Sequence, residues 1–155
     1  MSKAGKVGRV LIVDAEGAIL GRLASYIAKA LQEGFKVYVV NAEKAVVSGD
    51  PRMVVESYKI WFQLKTLRNP ARSSPKRPRS PISIIKRAVK GMLPKDNWKG
   101  FMAYKNLKVF IGVPSDLAGK KFIKLRNVSS EKLTIKYITV GEIAKAMGWR
   151  GWTRR

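Results

Sequence analysis

Basic side chains are concentrated in one stretch of the sequence, between Lys65 and Lys99. This stretch holds eleven Lys and Arg against a single acid, Asp96, in a chain of 155 residues whose net charge is +22. Cationic side chains can neutralise successive phosphate groups and release their counterions. Such contacts position a protein on a nucleic acid without reading its sequence. The candidate phosphate-binding residues here are Arg68, Arg72, Lys76, Arg77, Arg79, Lys86, Arg87 and Lys90.

Side chains suited to catalysis or metal binding are scarce. The sequence contains no His and no Cys, so the commonest general base and the thiolate metal ligand are both missing. Residues 112–121, GVPSDLAGKK, superficially resemble a phosphate-binding loop, but six residues separate the glycines where the pattern requires four. Asp14 and Glu16 could hold a metal, although strand ends often carry such acids. We therefore predict no catalysis, no cofactor and no metal site.

The strong positive charge narrows the class of partner. A net charge of +22 causes self-repulsion in the compact state, which a polyanion relieves. Nucleic acid is the leading candidate, and an anionic membrane surface is the second. No apolar run reaches the roughly eighteen residues of a spanning helix, and the N-terminus, MSKAGKVGRV, lacks the apolar segment of a secretory signal. We expect a cytoplasmic protein with no membrane partner.

A predicted helix from Pro81 to Leu93 positions the last of these basic residues. Ser80 suits the N-cap and Pro81 the first helical position, while Gly91 and Pro94 bracket the end. At helical spacing, one arc is apolar and consists of Ile82, Ile84, Ile85, Ala88, Val89, Met92 and Leu93. The opposite side carries Ser83 and three cations that we call the cationic stripe: Lys86, Arg87 and Lys90. The prolines that precede the helix predict an extended basic loop.

The first part of the chain predicts a parallel sheet. Residues 10–13 and 35–40 read as buried strands, and the apolar residues between them recur at helical spacing up to Gly34. Strand, helix and strand within about thirty residues form a βαβ unit. Residues 41–49 fit either a short helix or an irregular crossing. A further helix is expected from Asp50-Pro51 to about Leu64. Its aromatic residues could be core residues or a base-stacking platform, and their helical spacing favours the core.

The remainder of the chain predicts more strands and a C-terminal helix. Residues 107–111 and 133–138 read as strands. Thr139 and Glu142 form a capping-box pattern for a helix over residues 143–147. The terminal tryptophans, Trp149 and Trp152, could stack on bases, contact a neighbouring protein or fold back onto the domain. We divide the chain into an α/β domain over residues 1–114 and a C-terminal extension over residues 115–155, packed on that domain or on a partner.

Four ordered blocks of sequence resemble the ribosomal protein L13 family. They are residues 20–25 (LGRLAS), 39–49 (VVNAEKAVVSG), 89–94 (VKGMLP) and 107–114 (LKVFIGVP). The arginine-proline loop and residues 137–149 (YITVGEIAKAMGW) look like the archaeal form of the family. This resemblance implies a three-layer α/β/α fold around a small, mainly parallel central sheet.

The resemblance also implies a function. It indicates a structural constituent of the large ribosomal subunit that binds large-subunit ribosomal RNA, contacts neighbouring ribosomal proteins and supports subunit assembly and translation. It implies no catalysis, and we expect no homo-oligomer. The family's motif positions make Arg22, Lys44 and the turn from Lys90 to Pro94 further candidates for RNA contact. Two competing hypotheses are a basic DNA-packaging protein and a metal-dependent nucleic-acid enzyme.

Overall fold

A computed structural model describes residues 9–73 and 77–151 of the chain. The strands are β1 (Val10–Asp14), β2 (Lys36–Val40), β3 (Val46–Ser48), β4 (Leu107–Val109) and β5 (Tyr137–Thr139). The helices are α1 (Leu20–Gln32), α2 (Pro51–Gln63), α3 (Pro70–Ser73), α4 (Pro81–Met92), α5 (Trp98–Lys105) and α6 (Val140–Ala146). Short 3-10 turns lie at Ala42–Lys44, Ser115–Leu117, Arg126–Val128 and Ser130–Lys132.

The central sheet is parallel and has the strand order β1-β2-β4. Its register pairs Val13 with Val39, and Val39 with Val109. Helix α1 connects β1 to β2, so the predicted βαβ unit and the mixed α/β fold with a mainly parallel sheet are confirmed. A second, antiparallel pair joins β3 to β5 and pairs Val47 with Ile138.

The first face of the sheet carries the main core. Alternate residues of a strand point to the same face, which brings Val13 together with the β2 and β4 valines. Fully buried side chains of α1 and α4, among them Leu23, Ile27 and Ile85, belong to the same core. Ile143, from helix α6 in the C-terminal part of the chain, belongs to the same core. These contacts hold α4, and therefore its charged side, in a fixed orientation.

The second face of the sheet is covered by chain without an α-helix, as far as the described residues extend. Ile12 and Val40 pack there with Leu117, and Phe110 and Phe122 close the cluster. The backbone amide of Ile123 donates to the carbonyl oxygen of Ile12 at 2.9 Å, which ties this segment to β1. A 3-10 turn and irregular chain therefore form the layer on this face.

Three local predictions are refined by the structure. Residues 41–49 contain a 3-10 turn followed by β3, and Asn41 begins them in the left-handed conformation with a φ of 55°. The strand predicted over residues 133–138 is wrong in extent, because β5 covers only Tyr137–Thr139 and residues 133–136 belong to no strand or helix. Trp149 packs against the core, whereas Trp152 lies outside the described residues. No helix in the described ranges is long and apolar enough to cross a bilayer.

Candidate nucleic-acid interface

Helix α4 has the two chemically different faces that its sequence predicts. A capping box begins the helix: the hydroxyl of Ser80 accepts from the Ser83 amide at 3.3 Å, and the Ser83 hydroxyl accepts from the Ser80 amide at 3.1 Å. Ile85 and Val89 are fully buried against the sheet and α1, whereas Arg87 and Lys90 are exposed. One predicted member of the apolar arc is an exception, because Met92 is 43% exposed, whereas Leu93 after it is buried.

Two arginines before α4 lie on aromatic rings of α2. The guanidinium carbon of Arg77 is 3.5 Å from the centroid of the Trp61 ring, and that of Arg79 is 4.6 Å from the Phe62 centroid. Contacts of this kind combine cation–π attraction with stacking of the flat guanidinium group. They hold the basic segment beside α4. Residues 77–79 form neither helix nor strand there, but residues 70–73 form the short helix α3, which the predicted extended loop lacks.

The prediction that the α2 aromatics belong to the core is wrong for Trp61. Its side chain is 45% exposed, and none of the residues of α2 is buried. Helical spacing shows that aromatic residues share a face, but it does not show what covers that face. Here α2 lies beside α6 and β5, and an arginine covers the indole.

Four predicted site residues line one open cleft of about 330 Å³, which we call the cationic cleft. Its lining consists of Arg77, Pro78, Ser83, Lys86, Arg87, Lys90 and Tyr104. No carboxylate is among these described lining residues. Lys90 also approaches Tyr104, with its ammonium nitrogen 5.8 Å from the ring centroid. Tyr104 and the aromatic partners of the arginines were not predicted as part of the site, because their own sequence pattern resembles that of core residues.

The electrostatics of the cationic cleft favour an anion. Burial of the Arg77 guanidinium, and then the positive charge of Arg87 beside it, lower the pKa of Arg77. An arginine nevertheless remains charged at neutral pH, so the two like charges repel each other. The Nε atom of Arg77 is buried and has no hydrogen-bond acceptor among the described residues. The negative charge of a phosphate in the cleft would reduce the repulsion between the two guanidinium groups.

A neighbouring cleft of about 270 Å³ continues from the cationic cleft toward α2. Arg77 and Arg87 line both clefts, and Tyr58 and Trp61 form the α2 side of this one. Burial raises the pKa of the Tyr58 hydroxyl, so Tyr58 stays neutral and able to donate a hydrogen bond at physiological pH. The continuous surface formed by the two clefts joins positive charge to aromatic rings.

Other predicted RNA-contact residues lie outside the lining of the cationic cleft, where the structure describes them. Arg22 is exposed on α1, and Arg68 is exposed before α3. Arg72 is exposed in the last turn of α3, where its amide donates to the side chain of Asn69 at 3.2 Å. Lys76 lies outside the described residues.

Lys44 is engaged in an ion pair with an acid. Its ammonium nitrogen donates to a carboxylate oxygen of Glu16 at 2.9 Å. The hydrogen bond from Lys44 to Glu16, and then the negative charge of Glu16, raise the pKa of Lys44. The ammonium nitrogen of Lys124 lies 3.8 Å from a carboxylate oxygen of Asp14 and 3.7 Å from one of Glu16. Both acids that the sequence suggested as metal ligands therefore have basic side chains beside them. The described residues contain no group of three or more side chains suited to hold a metal.

The chain is similar along most of its length to large-subunit ribosomal proteins. The sequence model of the family "Ribosomal protein L13" matches residues 8–116. "Large ribosomal subunit protein uL13" of Saccharolobus solfataricus is 49% identical over 143 residues, which cover 92% of this chain and 95% of the relative. The protein of the same name from Aeropyrum pernix is 45% identical over 151 residues, or 97% of each chain.

A more distant relative shows the same coverage. "Large ribosomal subunit protein uL13" of Methanococcus maripaludis is 40% identical over 139 residues, which are 90% of this chain and 98% of the relative. All three organisms are archaea, which agrees with the archaeal form of the family suggested by the arginine-proline loop and the C-terminal block. The relatives are ribosomal proteins and not enzymes. This chain belongs to the ribosomal protein L13 family.

Proposed function

We propose that this protein is a structural constituent of the large ribosomal subunit that binds large-subunit ribosomal RNA through phosphate contacts in the cationic cleft. Such binding would support subunit assembly and translation, with other ribosomal proteins as neighbours. One observation carries the proposal: Arg77, Lys86, Arg87 and Lys90 line a single cleft that has no described carboxylate in its lining. Family membership favours this function over the hypotheses of a DNA-packaging protein and a metal-dependent enzyme.

The physical basis is that the cleft holds positive charge on a rigid support. Each lysine or arginine that contacts a phosphate releases condensed counterions, so binding weakens steeply as salt rises. The charges stay in place without RNA because Ile85 and Val89 anchor α4 in the core and aromatic rings hold Arg77 and Arg79. We expect the exposed Arg22, Arg68 and Arg72, which are not in the lining of this cleft, and also Lys76 to add contacts to other parts of the RNA.

We also propose that residues 1–114 act as the RNA-binding domain and that residues 115–155 are an extension packed on it. The hydrogen bond from Ile123 to Ile12 supports this arrangement, as does the complete burial of Ile143 in the core that contains Val13. In this arrangement the extension completes the core on both faces of the sheet. It leaves the cationic cleft open.

The test replaces all three residues of the cationic stripe: Lys86→Gln, Arg87→Gln and Lys90→Gln together. Glutamine is a good helix former and the apolar arc is untouched, so the melting temperature should change little. Affinity for large-subunit RNA fragments should fall. The slope of log affinity against log salt should shrink by up to about 0.9 for each phosphate that the protein no longer neutralises. Thermal melts and a salt titration measure both quantities.

A matched control removes the same number of charges elsewhere. Lys29→Gln, Lys36→Gln and Lys145→Gln change exposed lysines outside the cleft, and this triple variant should lose less affinity. Ile85→Ala tests the opposite face and should cost about 2 to 4 kcal/mol of stability through reduced burial and a cavity. An unchanged salt slope in the stripe variant, together with a large fall in melting temperature, would mean that the stripe is structural.

A further inference from the structure

Helix α5 exposes a row of large apolar side chains on one face. Trp98 is 70% exposed, Phe101 50% and Met102 42%. These residues occupy positions i, i+3 and i+4, which lie side by side on a helix. The rings of Trp98 and Phe101, which we call the aromatic platform, have centroids 5.4 Å apart and an interplanar angle of 34°. Because the opposite side of α5 contributes Gly100 and Ala103 to the interior, the helix is packed against the domain and the exposure is specific to the outer face.

The aromatic platform is fixed in position by contacts of the backbone. Asn97 caps α5 by accepting from the Lys99 amide at 3.5 Å. Gly100 lies so close to the carbonyl group of Pro94 that a β-carbon at this position would collide with it. Helix α5 packs on α1 and β4, whose own packing is part of the core. A ligand that meets the platform therefore finds two rings already held in place.

Positive charge surrounds the aromatic platform. Residues 94–105 contain Lys95, Lys99 and Lys105 against one acid, Asp96. The ammonium nitrogen of Lys105 is 4.8 Å from the centroid of the Phe101 ring. Aromatic rings beside lysines match a ligand that combines flat bases with phosphates. This charge favours a nucleic acid over an apolar surface of a neighbouring protein.

The aromatic platform is also continuous with the cationic cleft. A cleft of about 190 Å³ has Lys90, Lys95, Phe101 and Tyr104 in its lining. Lys90 and Tyr104 line the cationic cleft as well. A strand whose phosphates lie in the cationic cleft would reach Phe101 without leaving the protein surface. Along this surface, the basic side chains of α4 are therefore followed by the aromatic rings of α5.

We propose that the aromatic platform binds an unpaired RNA nucleotide by stacking of its base on Trp98 and Phe101. This inference rests on the proposed RNA-binding function and adds to it a preference for single-stranded RNA at one end of the interface. Bases stacked within a duplex cannot offer their faces to the rings, whereas unpaired bases can. Stacking on aromatic side chains depends little on base identity or salt.

The test uses the variant Trp98→Leu with Phe101→Leu in the full chain. Leucine keeps an apolar, helix-forming side chain at each position but removes the rings. The probes are an oligouridine of about twelve nucleotides, within the usual range of site sizes, and an RNA duplex of the same length. Affinity for the oligouridine should fall by about 5- to 100-fold, while affinity for the duplex stays nearly constant.

Salt titrations separate this proposal from the proposed function of the cleft. The leucine variant should keep the salt slope of the original protein, whereas the cationic-stripe variant should reduce that slope on both probes. The cationic-stripe variant could bind both probes with unchanged affinity and salt slope while the leucine variant binds the oligouridine more weakly. In that case the cleft proposal fails and the stacking proposal stands. Two results for a leucine variant with the original melting temperature would overturn the stacking proposal. The first is unchanged affinity for both probes, and the second is an equal loss of affinity for both.

Discussion

At the scale of single residues, Gly100 is a position where the fold requires the absence of a side chain. A β-carbon at this position would lie closer to the Pro94 oxygen than real β-carbons approach, and 3.0 Å from the Pro94 carbonyl carbon. Both obstacles are backbone atoms, which cannot rotate away as a flexible side chain can. The end of the α4 turn and the middle of α5 are therefore in direct backbone contact.

We predict that Gly100→Ala destabilises the protein by about 1 to 3 kcal/mol, the usual cost of overpacking a tight site. Gly91→Ala is the matched control, because a β-carbon at residue 91 of α4 meets no atom within 4 Å. Alanine there should be neutral or stabilise the helix by up to about 1 kcal/mol. Urea unfolding of both variants measures the difference. Equal stabilities would show that α5 can move away from Pro94 at no cost.

Lys44 provides a second residue-scale prediction. Because Glu16 already partly neutralises its charge, Lys44→Gln should reduce the affinity for RNA and the salt slope less than Lys90→Gln does. The same RNA fragments and salt range serve for both variants. A larger reduction for Lys44→Gln would mean that RNA displaces Glu16 and that Lys44 belongs to the interface.

The ion pair of Lys44 also has a definite pH dependence. The pKa of Lys44 is raised above its ordinary value of 10.5, so the stabilisation from the pair is fully present below that value. It is lost as the pH rises through the raised pKa. Above pH 10.5, the difference in melting temperature between the original protein and Lys44→Gln should therefore shrink. A constant difference would contradict the pair.

At the scale of elements, α6 depends on its capping box. The Thr139 hydroxyl accepts from the Glu142 amide at 3.2 Å, and the Glu142 carboxylate accepts from the Thr139 amide at 3.0 Å. Thr139→Ala should cost about 1 kcal/mol, and hydrogen exchange at residues 143–147 should become faster. Thr134→Ala, at an exposed position outside regular structure, is the control. Unchanged exchange in the Thr139 variant would show that burial of Ile143 alone holds the helix.

Helix α4 could be predicted in detail because its local signals and its burial agree. Ser80 and Pro81 specify where it begins, and its apolar arc is wide enough to require a cover. Helix α2 has equally clear signals, with Asp50 accepting from the Arg52 amide at 2.9 Å, yet its environment was predicted wrongly. Local sequence specifies the helix, but tertiary contacts decide which helix covers the sheet.

Only part of the candidate site could be predicted, because local sequence does not report contacts between different elements. Charge density identified the stretch that contains Arg77, Lys86, Arg87 and Lys90, and α4 brings the last three together because they share a face. The stacking of Arg77 on Trp61 joins residues from two different elements, and no sequence pattern reports such a contact. The same is true of the Lys44 pair, because its partner Glu16 is 28 residues away in the sequence.

At the scale of the whole molecule, the net charge of +22 should make the free protein sensitive to salt. Added KCl shortens the range of charge repulsion, which opposes the compact state. Raising KCl from about 0.05 M to about 0.5 M should therefore raise the melting temperature, by about 2 to 4 °C for each kcal/mol of repulsion screened. The cationic-stripe variant should respond less. A melting temperature that is flat or falls with salt would show that repulsion is too small to matter.

The C-terminal segment that covers the second face of the sheet affects how the chain can fold during synthesis. Leu117 covers Ile12 only after it has been synthesised, and the core that contains Val13 is incomplete until Ile143 has left the ribosome that makes the chain. Contacts between such distant parts of a chain also slow folding, because the entropy cost of closing a long loop comes before the contacts stabilise the protein. The nascent protein should therefore remain protease-sensitive until nearly its whole length has emerged. During that interval it is a long, unfolded polycation in a cell rich in RNA, so folding and capture by RNA compete from the start.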